Sequence, residues 1–182
     1  MARSTPTPQD AVALLKADHR KVEDLFAKFE SARGADRKKA LAGQICTELT
    51  VHTMIEEEIF YPACQGEAEE DLLNESYVEH DGAKVLIAEI EASNPDDPFY
   101  DAKVTVLSEM IKHHVKEEER RAEGLFAQAR DAGLDMDALG ERLAARKQEL
   151  LAQIKAEGLP TPETRSFTGH KLRQGALAQA AA

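Results

Sequence analysis

The 182-residue chain lacks any apolar run of the roughly 18 residues that a membrane-spanning helix requires, which excludes such a helix. It also lacks a concentrated basic patch. With a net charge of −11, that absence argues against nucleic acid and against anionic membrane surfaces as partners. The opening stretch MARSTPTPQDAVALLKADHR has no apolar segment long enough for a signal peptide, so the expected location is the cytoplasm. Cysteine is scarce. Cys46 and Cys64 stand alone, with no Cys-x-x-Cys, which removes a disulfide framework and leaves each as a small, semi-buried side chain. No segment alternates polar and apolar residues with period two for long enough to make a strand.

What is present is a set of long helical patterns with proline and glycine mainly between them. Thr7-Pro8 with Asp10 behind it reads as a cap, a first helical residue and a first-turn acid. The spacing predicts helices over about Pro8–Arg33, Ala35–Cys64, Glu69–Ser93, Pro98–Ala132 and, capped by Asp135, up to Glu157. NPDDP, residues 94–98, is a turn cluster. Four consecutive long helices with short connections favour antiparallel neighbours. The fold class is therefore all-α: an up-down-up-down four-helix bundle with an additional C-terminal helix. Residues 1–157 form this bundle domain. Residues 158–182, rich in Pro, Thr, Gly and Ala, form an irregular or disordered tail in which His170 is solvent-exposed.

Histidine is unexpectedly placed. At about 100° per residue, Val12, Leu15, Val22 and Phe26 share one face of the first helix, with His19 in its middle. On the second, His52 and Glu56 lie within the stripe of Leu41, Ile45, Leu49, Ile59 and Phe60, while Glu57 and Glu58 rotate towards solvent. On the third, His80 sits with Leu73, Tyr77 and Ile87. On the fourth, His114 and Glu118 fall with Val104, Leu107, Ile111 and Leu125, and His113 and Glu117 point elsewhere. Positions i and i+4 stack on one helix face, so His-x-x-x-Glu delivers imidazole and carboxylate to one point.

A single histidine on an apolar face is more often a hydrogen-bonded core residue than a ligand. Six such groups in one bundle core are costly unless satisfied together, and no set of arginines shares these faces. Lys84, one turn after His80, is the one cation found near them. A metal pair satisfies all six. Imidazole and carboxylate without thiolate suit iron, manganese or zinc. Four histidines and two carboxylates are too many for one tetrahedral zinc. They fit two ions bridged by the carboxylates and an oxygen, with at least one open position.

The segments ADHRKVEDLFAKFE, ELTVHTMIEEEIFYPAC, VEHDGAKVLIAEI and MIKHHVKEEERRAEGLFAQAR carry the ordered series His, His-x-x-x-Glu, His, His-x-x-x-Glu. Over about residues 8–157 the chain resembles the hemerythrin-like HHE cation-binding family. That resemblance implies a four-helix bundle with a non-haem di-iron centre. It places metal ligands at His19, His52, Glu56, His80, His114 and Glu118, with no separate catalytic residue. Two positions depart from the oxygen-carrying hemerythrins. Lys84 stands where they have a second histidine on the third helix, and Glu118 follows His114 by four residues where they have an Asp five residues on. An ion beside Lys84 is then less saturated and open to water, peroxide or another ligand such as Tyr77, which tells against reversible oxygen carriage more than against iron binding.

The expected function is binding of, or reaction with, dioxygen, nitric oxide or peroxide at two iron ions, in sensing, buffering or stress. The alternative is a di-iron enzyme with peroxide-disproportionating or ferroxidase-type activity. A metal-free helical adaptor is disfavoured by the six-group constellation.

Overall fold

A computed structural model describes residues 10–169, and within them every regular element is helical. The long helices are α1 (Ala11–Ser31), α2 (Ala35–Ile55), α4 (Glu70–Glu91), α5 (Tyr100–Glu118) and α7 (Met136–Glu157). Helix α2 runs on through a π-helical turn, Glu56–Phe60, into the short α3 (Tyr61–Cys64), and α6 (Leu125–Asp131) is a further short helix. Helix α1 packs on α2 and α5, and α4 packs on the same two, which closes the four-helix bundle; α7 lies outside, across α1 and α2.

The helix ends follow from local chemistry. Asp10 caps α1, its Oδ1 accepting from the Ala13 amide at 2.9 Å, and Asp135 caps α7 by accepting from the Ala138 amide at 3.0 Å. Thr7, Pro8 and His170 lie outside the described residues. The expected fourth helix to Ala132 is in fact two: α5 stops at Glu118, residues 119–124 form a turn, and α6 follows. Gly124 explains the break. A Cβ there would lie 2.5 Å from the Glu118 carbonyl oxygen and 2.6 Å from the Arg120 nitrogen, so only glycine lets the chain fold back so tightly.

Two apolar clusters fill the bundle. One gathers Leu15, Ile55, Phe60, Leu73, Leu125 and Phe126 together with the inner face of α7; the other gathers Val22, Leu49, Ile87, Leu107 and Ile111. The four expected inward histidines fall in the layer between these clusters, each on a different long helix. Apolar packing above and below therefore holds a polar layer at mid-bundle, out of contact with water. Cys46 and Cys64 are free and buried, one in each cluster. Burial, with Glu118 and Glu56 nearby, pushes the Cys64 thiol up to about 12, so it stays protonated.

Candidate metal centre

His19, His52, Glu56, His80, His114 and Glu118 are all at most 5% exposed. The structure brings them together. Imidazole Nε2 atoms of His19 and His52 stand 3.1 Å apart, and those of His80 and His114 stand 3.2 Å apart. Glu56 Oε2 lies 3.1 Å from His52 Nε2 and 3.4 Å from His80 Nε2. Glu118 Oε2 lies 3.4 Å from His19 Nε2 and 3.5 Å from His114 Nε2. Each carboxylate thus reaches both histidine pairs. Two clusters of ligand-type atoms result, His19/His52/Glu56/Glu118 and Glu56/His80/His114, each with its atoms within 4.8 Å of one another.

The outer nitrogens explain why every ring faces inward through Nε2. His19 Nδ1 donates to Glu119 Oε1 at 2.8 Å, His80 Nδ1 to Glu57 Oε1 at 3.1 Å, and His114 Nδ1 to Glu79 Oε2 at 2.8 Å. His52 Nδ1 faces Asp18 Oδ2 at 3.7 Å, an electrostatic contact beyond hydrogen-bond range. A proton held at Nδ1 by a carboxylate leaves Nε2 as a bare lone pair, the arrangement that metal-binding histidines use. Most of these carboxylates are in turn neutralised: Glu119 by Arg20 at 2.5 Å, Asp18 by Lys147, and Glu57 by Lys84 at 2.7 Å.

Four inward lone pairs and two carboxylates need positive charge among them. Glu56 Oε1 and Glu118 Oε2 are buried with no hydrogen-bond partner. Burial works against a charged imidazole, yet Glu56, Asp18 and Glu118 together raise His52 to about 10. His114 is raised as well: burial opposes it, and Glu118 and Glu79 prevail. Burial likewise opposes the Glu56 carboxylate, but His52 and His80 hold it well below its usual value. The shifts of His52, His114 and Glu56 all favour positive charge in this layer. Four imidazoles and two carboxylates without thiolate are a donor set that fits metal cations, and these residues would hold them.

Two participants escape the helical wheel. Tyr61 is fully buried, its hydroxyl donating to Glu118 Oε1 at 2.9 Å and standing 3.1 Å from His80 Nε2 and 3.4 Å from Glu56 Oε2. It stands on the His80 side of the layer. Tyr77, the tyrosine expected there, instead packs its ring edge-on against Tyr61 with centroids 5.2 Å apart. Glu57, expected in solvent, is buried against His80. Both shifts come from the π turn. Its wider i→i+5 bonding, seen in the Tyr61 amide donating to the Glu56 carbonyl, brings Tyr61 round to the face of Glu56. The signal available in the sequence was an unbroken helical run of three glutamates ahead of Tyr61-Pro62. Lys84 turns away from the metal layer, bonding Glu57 and Asp81. His113 lies on the surface near Glu75 and Glu79, as its wheel position required.

Comparison with known proteins bears on the fold and the family. The chain is 31% identical over 118 residues to a protein of Nostoc sp. (strain PCC 7120) described as a DNA nickase. That match covers 65% of this chain and 33% of the Nostoc protein, so the chain spans about one third of that relative's length. The fold is similar to the crystal structure of a hemerythrin HHE cation-binding domain-containing protein from Mycobacterium kansasii, with a TM-score of 0.68, 23% identity, and coverage of 82% of this chain and 94% of that one. Residues 10–126 match the hemerythrin HHE cation-binding domain, and the chain belongs to that family.

Proposed function

We propose that the protein holds two non-haem iron ions on His19, His52, Glu56, His80, His114 and Glu118, and that it binds or reacts with dioxygen, nitric oxide or peroxide. The observation that carries this reading is the buried layer in which two carboxylates each reach both histidine pairs. When bound, the iron pair supplies open coordination positions and one-electron redox chemistry. The chain supplies the rest. Carboxylates hold the His19, His80 and His114 rings in their inward tautomer, and the apolar clusters on either side exclude water.

The small space beside the histidines favours a small ligand over an organic one. A cavity of about 10 Å³ lies against His19, His52, His80 and His114, walled by Val22, Leu49 and Ile111. That is room for about one water-sized molecule. A larger organic substrate has no place beside the histidines. DNA nicking is not carried over from the Nostoc relative, because a net charge of −11 opposes binding to a phosphate backbone.

One observation favours turnover as a second reading. The Tyr61 hydroxyl touches the site, and burial with Glu118 and Glu56 raises it well above the usual phenol value, so Oη keeps its proton. A phenol O–H beside the inward histidines can donate a hydrogen bond to a bound oxygen species, which suits peroxide disproportionation or ferroxidase-type chemistry more than passive binding.

Elemental analysis of protein from an iron-replete source, read together with its absorption spectrum, tests the first reading. The expected result is two irons per chain. One tetrahedral zinc in metal-replete protein would overturn it. Steady peroxide consumption by the iron-loaded protein, lost in Tyr61→Phe, is the result expected of the second reading. Stoichiometric binding without turnover overturns that reading and leaves the first.

A further inference from the structure

We propose that the irregular segment from Gly158 to Ser166 is a strap that positions His80, acting through Asp81, Lys84 and Glu57. The inference rests on reading His80 as a metal ligand, and the contacts are specific to this histidine. The segment leaves α7 at Gly158, whose φ of 87° turns the chain away from the helix axis. It is attached at two points. Leu159 packs against the Val22–Ile111 cluster, and Arg165 and Ser166 bind Asp81. Between those points it arches over a cavity of about 580 Å³ whose walls include Met54, Glu57, Lys84 and Ile87. The far end is therefore held by polar bonds and not by packing along its length.

Those bonds converge on one buried oxygen. Asp81 Oδ2 accepts from the Arg165 amide at 2.7 Å, the Ser166 amide at 2.6 Å and the Ser166 hydroxyl at 2.8 Å. Asp81 Oδ1 accepts from Lys84 Nζ at 3.1 Å. Lys84 Nζ also donates to Glu57 at 2.9 Å and to the Glu163 carbonyl at 3.2 Å. Glu57 Oε1 in turn accepts from His80 Nδ1 at 3.1 Å. Arg165 adds a second cation, its Nε 3.6 Å from Glu57 Oε2 and its guanidinium 5.2 Å from the centre of the Tyr77 ring.

Behind His19 and His52 the cations come from helices: those on Glu119 from α1, and the lysine on Asp18 from α7. Among the described residues, only the carboxylate behind His80 takes a cation, Arg165, from irregular chain. If the strap leaves, Asp81 loses three donors at one buried oxygen and keeps Lys84 as its remaining partner. Lys84 is then drawn to Asp81 and away from Glu57. Glu57 loses Arg165 as well, and the His80 ring loses its fixed support. Partners at this remove tune metal affinity by roughly 10–100-fold when they act directly on a ligand.

Ser166→Asp and Arg165→Glu test this in the full chain. Both residues are exposed, so both variants fold; each sets a negative charge against an existing carboxylate. Glu163→Ala is the control, because its contact is made by the main-chain carbonyl. In the metal-free protein, nitrogen-15 NMR of the imidazoles reads the rings directly. The Nδ1 proton signal of His80 should broaden or vanish in both variants, while that of His114, held by Glu79, stays as in wild type. After loading with ferrous iron, capture by a chelator should become biphasic, with one of two ions released about tenfold faster. Unchanged His80 signals in both variants overturn the inference. So does equal acceleration of both ions, which would mean general loosening. A wild type that takes up no iron overturns the di-iron reading instead, and the imidazole signals then decide the role of the strap.

Discussion

His113 and His114 are neighbours in sequence with opposite surroundings. The His114 side chain is 3% exposed, with Nε2 in the metal layer and Nδ1 on Glu79; the His113 side chain is 57% exposed and lies 3.5 Å from the same Glu79. If the proposed centre is right, His114→Ala removes one of its four inward imidazoles, whereas His113→Ala removes a solvated ring. The expected outcome is loss of at least one tightly held iron in His114→Ala and full retention in His113→Ala, measured by elemental analysis after dialysis. Loss of iron in His113→Ala would mean that the outer Glu75/Glu79/His113 cluster is coupled to the inner one through Glu79. The same residue-scale logic separates Glu57 from Glu58. Glu57 is drawn inward onto His80, while Glu58 stays outside and pairs with Arg146 at 2.6 Å.

Helix α1 carries His19 and begins at the Asp10 cap. The Asp10 carboxylate accepts from the Ala13 amide and from Arg130 at 2.7 Å, tying the start of α1 to α6. Burial tends to raise its pKa, but the Ala13 bond and Arg130 prevail and hold it below 3.8. A depressed folded-state value means that the cap stabilises fully above about 3.8 and is lost as pH falls through the lower, folded value. Asp10→Ala should therefore cost about 1 kcal/mol at neutral pH, mostly from the cap, since the partly exposed Arg130 pair adds little. Urea midpoints of the two proteins should converge in acid. A gap that persists below the folded pKa would show that the aspartate acts other than through its charge.

The turn after α5 gives a second test at this scale. Gly124→Ala places a Cβ against three backbone atoms of Glu118 and Arg120, none of which is a flexible side-chain end. Overpacking of this kind costs about 1–3 kcal/mol. The shift also falls on Glu119, which orients His19. Both the urea midpoint and iron retention should drop; a drop in stability with normal retention would separate the turn from the site.

For the molecule as a whole, the net charge of −11 surrounds a buried site with two carboxylates of its own. A negative surface raises the local concentration of cations, and added salt screens it, with a Debye length falling from ~30 Å at 0.01 M to ~10 Å at 0.1 M. Uptake of ferrous iron, followed by stopped-flow absorption, should slow several-fold over that range while final stoichiometry is unchanged. A rate independent of salt would place the limiting step in opening of the bundle and not in encounter. Helix α7 belongs to this scale as well. It covers α1 and α2 with Leu139, Leu143 and Leu150 and brings Lys147 to Asp18, so the outer helix both completes a core and supports His52.

The sequence by itself determined that the chain is helical and the inward face of the four helices that carry the buried histidines. Periodicity near 3.6 placed His19, His52, Glu56, His80, His114 and Glu118 among apolar residues, and the structure buries all six in a single layer. That much is local: a face is a property of one helix, and i, i+4 spacing is enough to read it. Tertiary structure decided what local periodicity does not encode. The π turn moved Tyr61 and Glu57 into the site by changing the residues per turn. Close backbone approach at Gly124 divided the expected fourth helix. The carboxylates behind His19, His80 and His114 come from segments 23 to 100 positions away, and the strap reaches Asp81 across 84 and 85 positions. Such contacts are set by which helices become neighbours, and no period along the chain records them.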